Sequence, residues 1–232
     1  MDDNIGKIDA CKQGMRHEAI GKRKEMSESQ RAEAGKRLGK LAASLLNKLP
    51  TSDLKSGDTA AAYVSMGTEV PTLELLDELC ERKLRVLVPR LGKGRDIGWS
   101  EYGGKSGLRK MPRTATGGLR PAEPGGKTLG PKAIADAKLV FIPAFAIDLD
   151  GTRLGRGGGW YDQVLGLCRT DMLKIGVCWD WEFIDRHDAV PHETHDIPVD
   201  VVMTDKRIIV LSAKFQMITF RQVGLGPANH ES

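Results

Sequence analysis

The sequence is poor in several features that mark a function class. Aromatic residues are 5% of its 232 residues, too few rings to stack successive bases, which argues against a single-stranded nucleic-acid binder. Its four cysteines, Cys11, Cys80, Cys168 and Cys178, form no C-x-x-C pair and no metal-like spacing. A disulfide scaffold and a zinc ribbon are therefore not expected, and the cysteines read as reduced thiols of a cytoplasmic protein. No apolar run approaches the length of a bilayer span, and the Met1-Asp2-Asp3 start is not that of a signal peptide, so no membrane association is expected. Charge of one sign is scarce too, with a net of +4. The basic residues from Lys7 to Lys40 are interleaved with acids, as on a solvated helix face, and no nucleic acid is expected as a partner. The mild positive balance suits a small polyanionic substrate.

What is present reads as a globular enzyme. Hydrophobic residues are 40% and charged residues 28%, enough for one domain with its own core. Asp9 to Met26 is expected as a helix that puts Lys12 and Arg16 one turn apart on one face. Ser27 to Gln30 has the form of a capping box, and Ala34, Leu38, Leu41, Ala42, Leu45, Leu46 and Leu49 recur at helical spacing until Pro50. A strand over 59–64, a helix over 72–83 and a strand over 85–88 ending at Pro89 predict a right-handed parallel crossover. Gly92 to Gly130 lacks periodicity and is expected as a lid or a segment without fixed structure, with Trp99 and Tyr102 its apolar offer to a ligand. Strands follow at 138–143, 174–178, 199–203 and 207–211, with a short helix over 160–168. The whole predicts one three-layer α/β/α domain over residues 1–211 with a mostly parallel sheet, and a weakly patterned tail over 212–232.

The chemistry gathers between the strand at 138–143 and the helix at 160. There the chain reads Gly151-Thr152-Arg153-Leu154-Gly155-Arg156-Gly157-Gly158-Gly159-Trp160-Tyr161-Asp162. Ligands of open α/β sheets lie beyond the carboxyl ends of strands. Closely spaced glycines let backbone N–H groups reach a ligand, and with the helix start behind them they predict an anion cradle. Arg153 and Arg156 suit phosphate oxygens, and Asp162 is a hard oxygen donor fit for Mg2+. Two Walker-like endings, at Gly104-Lys105-Ser106 and Gly126-Lys127-Thr128, lack the leading glycine and the strand, so they are not P-loops. The His192-to-His195 stretch lacks the spacing of a zinc helix and is bracketed by Pro191 and Pro198; its functional member is expected to be Asp196, a second carboxylate.

The stretch RLGRGGGWYD resembles the R-L-G-x-G-x-G-Y-Y-D signature of the 5-formyltetrahydrofolate cyclo-ligases, also called methenyltetrahydrofolate synthetases. Lys12 to Arg16 with KRKEMSESQRAEAGKRL, then YVSMGTEVPTLELLDEL with LRVLVPR, and finally HETHDIPVDVVMTDKRII are similar to further blocks of that family, in order over residues 10–211. The resemblance implies a sheet fold of the kind shared by sugar-phosphate isomerases and CoA transferases. It also implies ATP-dependent closure of 5-formyltetrahydrofolate, with or without a polyglutamate tail, to 5,10-methenyltetrahydrofolate. A cytoplasmic monomer is expected. Residue by residue, the resemblance implies that Lys12, Arg16, Arg153, Leu154, Gly155, Arg156, Gly157, Gly158, Gly159, Trp160 and Tyr161 bind ATP. Val64 and Glu69, with Arg156 to Trp160, are expected to line the folate site. Asp162 and Asp196 are expected to hold Mg2+, and Arg156 and Lys12 to act in catalysis. Two departures stand out: Trp160 replaces the first tyrosine of the signature, and GGLRPAEPGG matches the family's G-I-x-E-P segment only loosely around Glu123. Two other readings compete: a paralogue acting with ATP on another pterin or a thiamine-related substrate, and an RNA-binding protein using the basic helices.

Overall fold

The computed structural model describes residues 2–49, 54–91, 97–114, 117–193 and 196–215. Two helices open the chain, α1 (Asp2–Glu25) and α2 (Glu28–Lys48). The break between them is fixed by the predicted capping box: Ser27 Oγ accepts from the Gln30 N–H at 3.2 Å, and Gln30 Oε1 accepts from the Ser27 N–H at 2.9 Å. Strand β1 (Thr59–Ala61), helix α3 (Leu73–Glu81) and strand β2 (Arg85–Leu91) follow as the expected parallel crossover. Next come β3 (Ile97–Glu101), the short β4 (Leu108–Arg109) and β5 (Glu123–Pro124), then β6 (Ala137–Pro143), β7 (Ala146–Asp148) and β8 (Arg153–Leu154). The chain closes with α4 (Trp160–Leu165), β9 (Leu173–Cys178), β10 (Phe183–Ile184), β11 (Val201–Thr204) and β12 (Ile208–Val210).

Seven strands form the main sheet in the order β12-β11-β9-β6-β1-β2-β3. The five inner strands are parallel and the two edge strands antiparallel. Parallel strands buried on both faces need continuous apolar runs, and β6 supplies one, with Leu139 to Ile142 all essentially inaccessible. One face packs on α2 and α3 through Leu38, Leu45, Leu75, Leu76 and Leu79. The other is covered by α4, by a 3-10 turn over Pro131–Ile134 and by a small second sheet, β10-β7-β8. That second layer is thin, because α4 has six residues. A third apolar cluster joins α1 to the small sheet through Ala19, Phe145, Leu154 and Val190.

Two expectations need correction here. Strand β2 does not stop at Pro89 but runs through it, opposite Trp99. The Trp99 N–H and C=O bond to Leu129, at 3.0 and 2.7 Å, on the side away from β2. Pro89 therefore occupies a non-hydrogen-bonded position of the β2–β3 pair, where its missing N–H takes no bond from that ladder. Part of the 92–130 stretch is packed structure, while the described residues of 103–122 stay largely at the surface. Trp99 and Tyr102 are core residues, and the Tyr102 hydroxyl donates to Asp77 at 2.8 Å. Glu123 is buried at the end of β2, where it accepts from the Leu91 N–H and from Arg120. Residues 92–96, 115–116 and 216–232 lie outside the described residues, and so does most of the predicted tail. Among the described residues no helix is long and apolar enough to cross a membrane.

Burial pushes the Cys168 thiol up to about 11 and raises Cys80 and Cys178 as well, while Cys11 is exposed on α1. Thiolates react, not thiols. A thiol-specific chromogenic reagent at mildly alkaline pH is expected to modify Cys11 first, the other cysteines following on unfolding. Equal rates at all four positions would contradict this packing.

Candidate active site

Strand order reverses between β1 and β6: the chain proceeds from β1 outward to β2, then returns to β6 on the other side and continues to β9. Loops leaving neighbouring strands diverge at such a point and open a crevice. A cavity of about 350 Å³ lies there. Its floor is Pro143, Ala144 and Phe145, at and just beyond the end of β6; its walls are Glu69, the run Arg153 to Asp162, and the inner face of α1.

The glycine-rich loop serves two purposes. Gly151 lies outside the cavity. Its φ is +77° and an added Cβ would collide with the Val199 carbonyl oxygen, so glycine is required for the turn alone. Gly155 to Gly159 do face the cavity, with Gly157 and Gly159 at φ of +90° and +62°. The helix behind them is too short for its dipole to dominate. The cations of Lys12, Arg16, Arg153 and Arg156 line the same cavity and add positive charge there. Arg153 donates to the carboxylate of Asp162 and to the Ile197 carbonyl. Asp162 also accepts from the Ile197 N–H at 3.2 Å.

Helix α1 closes the opposite wall. Lys12 Nζ is 3.5 Å from Glu193 and 4.0 Å from Asp196. Asp196 lies in the loop before β11, accepting from the Glu193 N–H at 2.9 Å. Arg16 Nε donates to the Gly155 carbonyl at 2.8 Å. Arg23 forks onto Glu182, with bonds of 2.6 and 2.8 Å, and both residues are buried. The exposed Lys22–Glu18 pair on the same helix belongs to a class that contributes little. Breaking a buried pair such as Arg23–Glu182 costs about 3–5 kcal/mol, so that contact decides where α1 sits.

On the β1 side stands Glu69, with 7% of its surface exposed. Its loop is tied down by Thr72, whose Oγ1 donates to the Tyr63 carbonyl at 2.7 Å and accepts from the Ser65 N–H at 3.0 Å. Glu69 Oε2 accepts from the Met66 N–H at 2.9 Å and Oε1 from Arg156 at 2.8 Å. Burial and the neighbouring Glu69 carboxylate hold the phenols of Tyr63 and Tyr161 well above their ordinary range, so both stay neutral. Arg156 lies 5.5 Å from the Phe145 ring centre. Trp160 packs on Trp99 at 5.1 Å and on Tyr161 at 4.8 Å between ring centres, which makes it a propped aromatic wall. Of the predicted site residues, Val64 alone is not brought to the cavity; it is buried in the core on the α2 side of the sheet.

Residues 8–205 match the sequence model of the 5-formyltetrahydrofolate cyclo-ligase family. The chain belongs to that family. The 5-formyltetrahydrofolate cyclo-ligase of Mycolicibacterium smegmatis is 37% identical over 163 residues, covering 67% of this chain and 77% of that protein. The 5,10-methenyltetrahydrofolate synthetase structure from Aquifex aeolicus superposes with a TM-score of 0.62 at 29% identity, covering 86% of this chain and 92% of that one. The Mycoplasma pneumoniae synthetase structure shares the fold, with a TM-score of 0.60 at 18% identity over 84% and 99% of the two chains. Family and relatives indicate 5-formyltetrahydrofolate cyclo-ligase activity for this chain, a ligase reaction of one-carbon metabolism.

Several residues of this cyclo-ligase cavity are not singled out in the sequence, among them Phe145 on its floor, Arg23 on the α1 wall and Glu193 beside Lys12, with Glu182 behind them. Phe145 follows a buried strand, and nothing local separates a cavity phenylalanine from a core one. Glu182 lies far along the chain from its partner. Arg23 did leave a signal, since it follows Arg16 by seven residues, two helical turns.

Replacing Gly151 by Ala is expected to destabilise the protein by about 1–3 kcal/mol through turn strain, read as a lowered Tm, with KM values of the folded protein unchanged. A normal Tm with impaired substrate binding would instead put Gly151 in the site.

Proposed function

We propose that the cavity carries out ATP-dependent closure of 5-formyltetrahydrofolate to 5,10-methenyltetrahydrofolate, with both substrates sharing the wall from Arg156 to Trp160. The observation that carries this reading is the Arg156–Glu69 pair, a half-exposed arginine resting on a buried, anchored carboxylate. Glu69 is fixed, so Arg156 is the partner that moves. Pterin ring N–H groups can take over Glu69, which frees Arg156 for phosphate oxygens.

The remaining cations fit the same pattern. Lys12, Arg16, Arg153, Leu154 and the backbone of Gly155 to Gly159 face the cavity beside Trp160 and Tyr161 and would hold the nucleotide. Asp162 and Asp196 are oxygen donors lining the same cavity, paired with Arg153 and Lys12. Among the described residues no cluster of three metal-binding groups forms. Mg2+ commonly takes one or two carboxylates and completes its shell with phosphates and water. Mg2+ would supply charge neutralisation at the phosphates, and Asp162 and Asp196 would hold it.

Chemistry follows from poor leaving-group ability. The formyl oxygen attacks the γ-phosphorus of ATP and ADP leaves, giving an N5-iminium phosphate. N10 then attacks the formyl carbon and loses its proton; the carbon–oxygen bond breaks, and phosphate departs with the formyl oxygen. Phosphoryl transfer needs positioning and charge neutralisation rather than a protein nucleophile. Arg156 and Lys12 provide the charge, Glu69 orients the pterin, and the aromatic pair Trp99–Trp160 shields the cavity from water.

Methenyltetrahydrofolate absorbance is expected to grow when the protein meets 5-formyltetrahydrofolate and ATP, and to stay flat without ATP. Absence of product at high enzyme concentration would sink the assignment and turn attention to another pterin. Arg156→Ala is expected to lower kcat/KM by about a hundredfold or more, the usual loss for a donor aimed at developing charge. Wild-type turnover in that variant would remove Arg156 from the chemistry.

A further inference from the structure

Helix α1 is held to the body along one row. Lys12, Arg16 and Arg23 are separated by about one and two helical turns and so share a face. Among the α1 residues whose side chains are described, only Ala19 and Arg23 are fully buried. Apolar support is slight: Met15, Ala19 and Ile20 against Phe145, Leu154 and Val190. A helix so poor in apolar contact depends on its polar anchor.

That anchor is Arg23. Its Nε donates to Glu182 Oε1 at 2.6 Å; its Nη2 donates to Glu182 Oε2 at 2.8 Å and to the Ala144 carbonyl at 2.7 Å. The guanidinium lies over the Phe145 ring, 4.4 Å from its centre, a cation–π placement. Glu182 is itself fixed, because Oε2 accepts from the Trp179 N–H at 2.9 Å. Ala144 follows β6 directly and Trp179 follows β9, so one side chain ties α1 to the ends of two adjacent central strands. Lys12 and Arg16 have looser partners, namely Glu193, Asp196 and the Gly155 carbonyl, all on loops around the cavity mouth.

We propose that Arg23 is a positioning residue for the nucleotide: locked onto Glu182, it fixes α1 at the angle that delivers Lys12 and Arg16 to the ATP phosphates. The proposal rests on the nucleotide reading above. Pre-paid ordering of this helix lowers the entropy lost when ATP binds. Loosening the anchor therefore weakens ATP binding selectively and leaves the folate side, built on β1 and β6, in place.

Glu182→Gln removes the charge and keeps the size. The KM for ATP is expected to rise about tenfold with kcat and the KM for 5-formyltetrahydrofolate held within about twofold, the split that marks lost binding rather than lost chemistry. Arg23→Lys, which keeps the charge but loses the fork, is expected to fall between wild type and Glu182→Gln. Backbone hydrogen exchange across residues 9–25 should speed up in Glu182→Gln and slow again with ATP alone. A general loosening of the fold would instead raise both KM values together, and that result overturns the proposal. So does an unchanged KM for ATP despite faster exchange in α1. If Glu182→Gln does not fold, Arg23→Lys decides, and a wild-type KM for ATP in that variant overturns the proposal too. Wild-type protein without ATP-dependent turnover would sink the functional reading itself, and α1 exchange that ATP leaves unchanged would then also overturn the role of Arg23.

Discussion

The arrangement depends on charge balance inside one small cavity. Lys12, Arg16, Arg23, Arg153 and Arg156 all line it, and such crowding is tolerable only with carboxylates among them. Arg23 has Glu182, Arg153 has Asp162, Arg156 has Glu69, and Lys12 has Glu193 and Asp196. Opposite charges 4 Å apart attract by about 4 kcal/mol at a protein-like dielectric, against about 1 kcal/mol in water. Such pairs are firm enough to order the cavity's side chains, and under the proposed function the exposed ones are weak enough to be exchanged for a phosphate or a ring N–H. The Arg23–Glu182 pair differs by being buried on both sides, and it belongs to the scaffold.

Burial separates the two kinds of pair, and the sheet determines burial. Where strand order reverses between β1 and β6, the loops part, and Glu69 and the Gly155-to-Asp162 run face each other across the opening. Arg156 spans that opening from an exposed position. Arg23 reaches beneath α1 onto Ala144, where solvent does not follow. A single helix thus carries both an anchor and two exchangeable cations, and its low apolar content is the consequence.

Much of this was legible in the residues. The capping box at Ser27, the β1-α3-β2 crossover and the buried β6 run follow from local rules that tertiary context did not override. RLGRGGGWYD located the cavity, because glycines, arginines and an acid so close together have little structural use. The sequence reading failed where pairing partners lie far apart along the chain. Strand β3 was hidden in a glycine- and proline-rich stretch, and Trp99 looked like a ligand contact because nothing local reveals that Pro89 and Leu129 enclose it. Glu182 lies 159 residues from Arg23, a distance no periodicity bridges.

If Arg156 and Glu69 are exchange partners, the two substrates assist each other. Folate binding frees Arg156 for the nucleotide, and nucleotide binding leaves a buried carboxylate waiting for pterin donors; such coupling is reciprocal. The direct test is calorimetric titration of a non-hydrolysable ATP analogue, with and without saturating 5-formyltetrahydrofolate. The account predicts affinity about five- to a hundredfold tighter when folate is present, within the usual range of coupling between sites, and no such gain in Glu69→Gln. Equal affinity in both titrations of the wild-type protein, with folate shown to be bound, would contradict it.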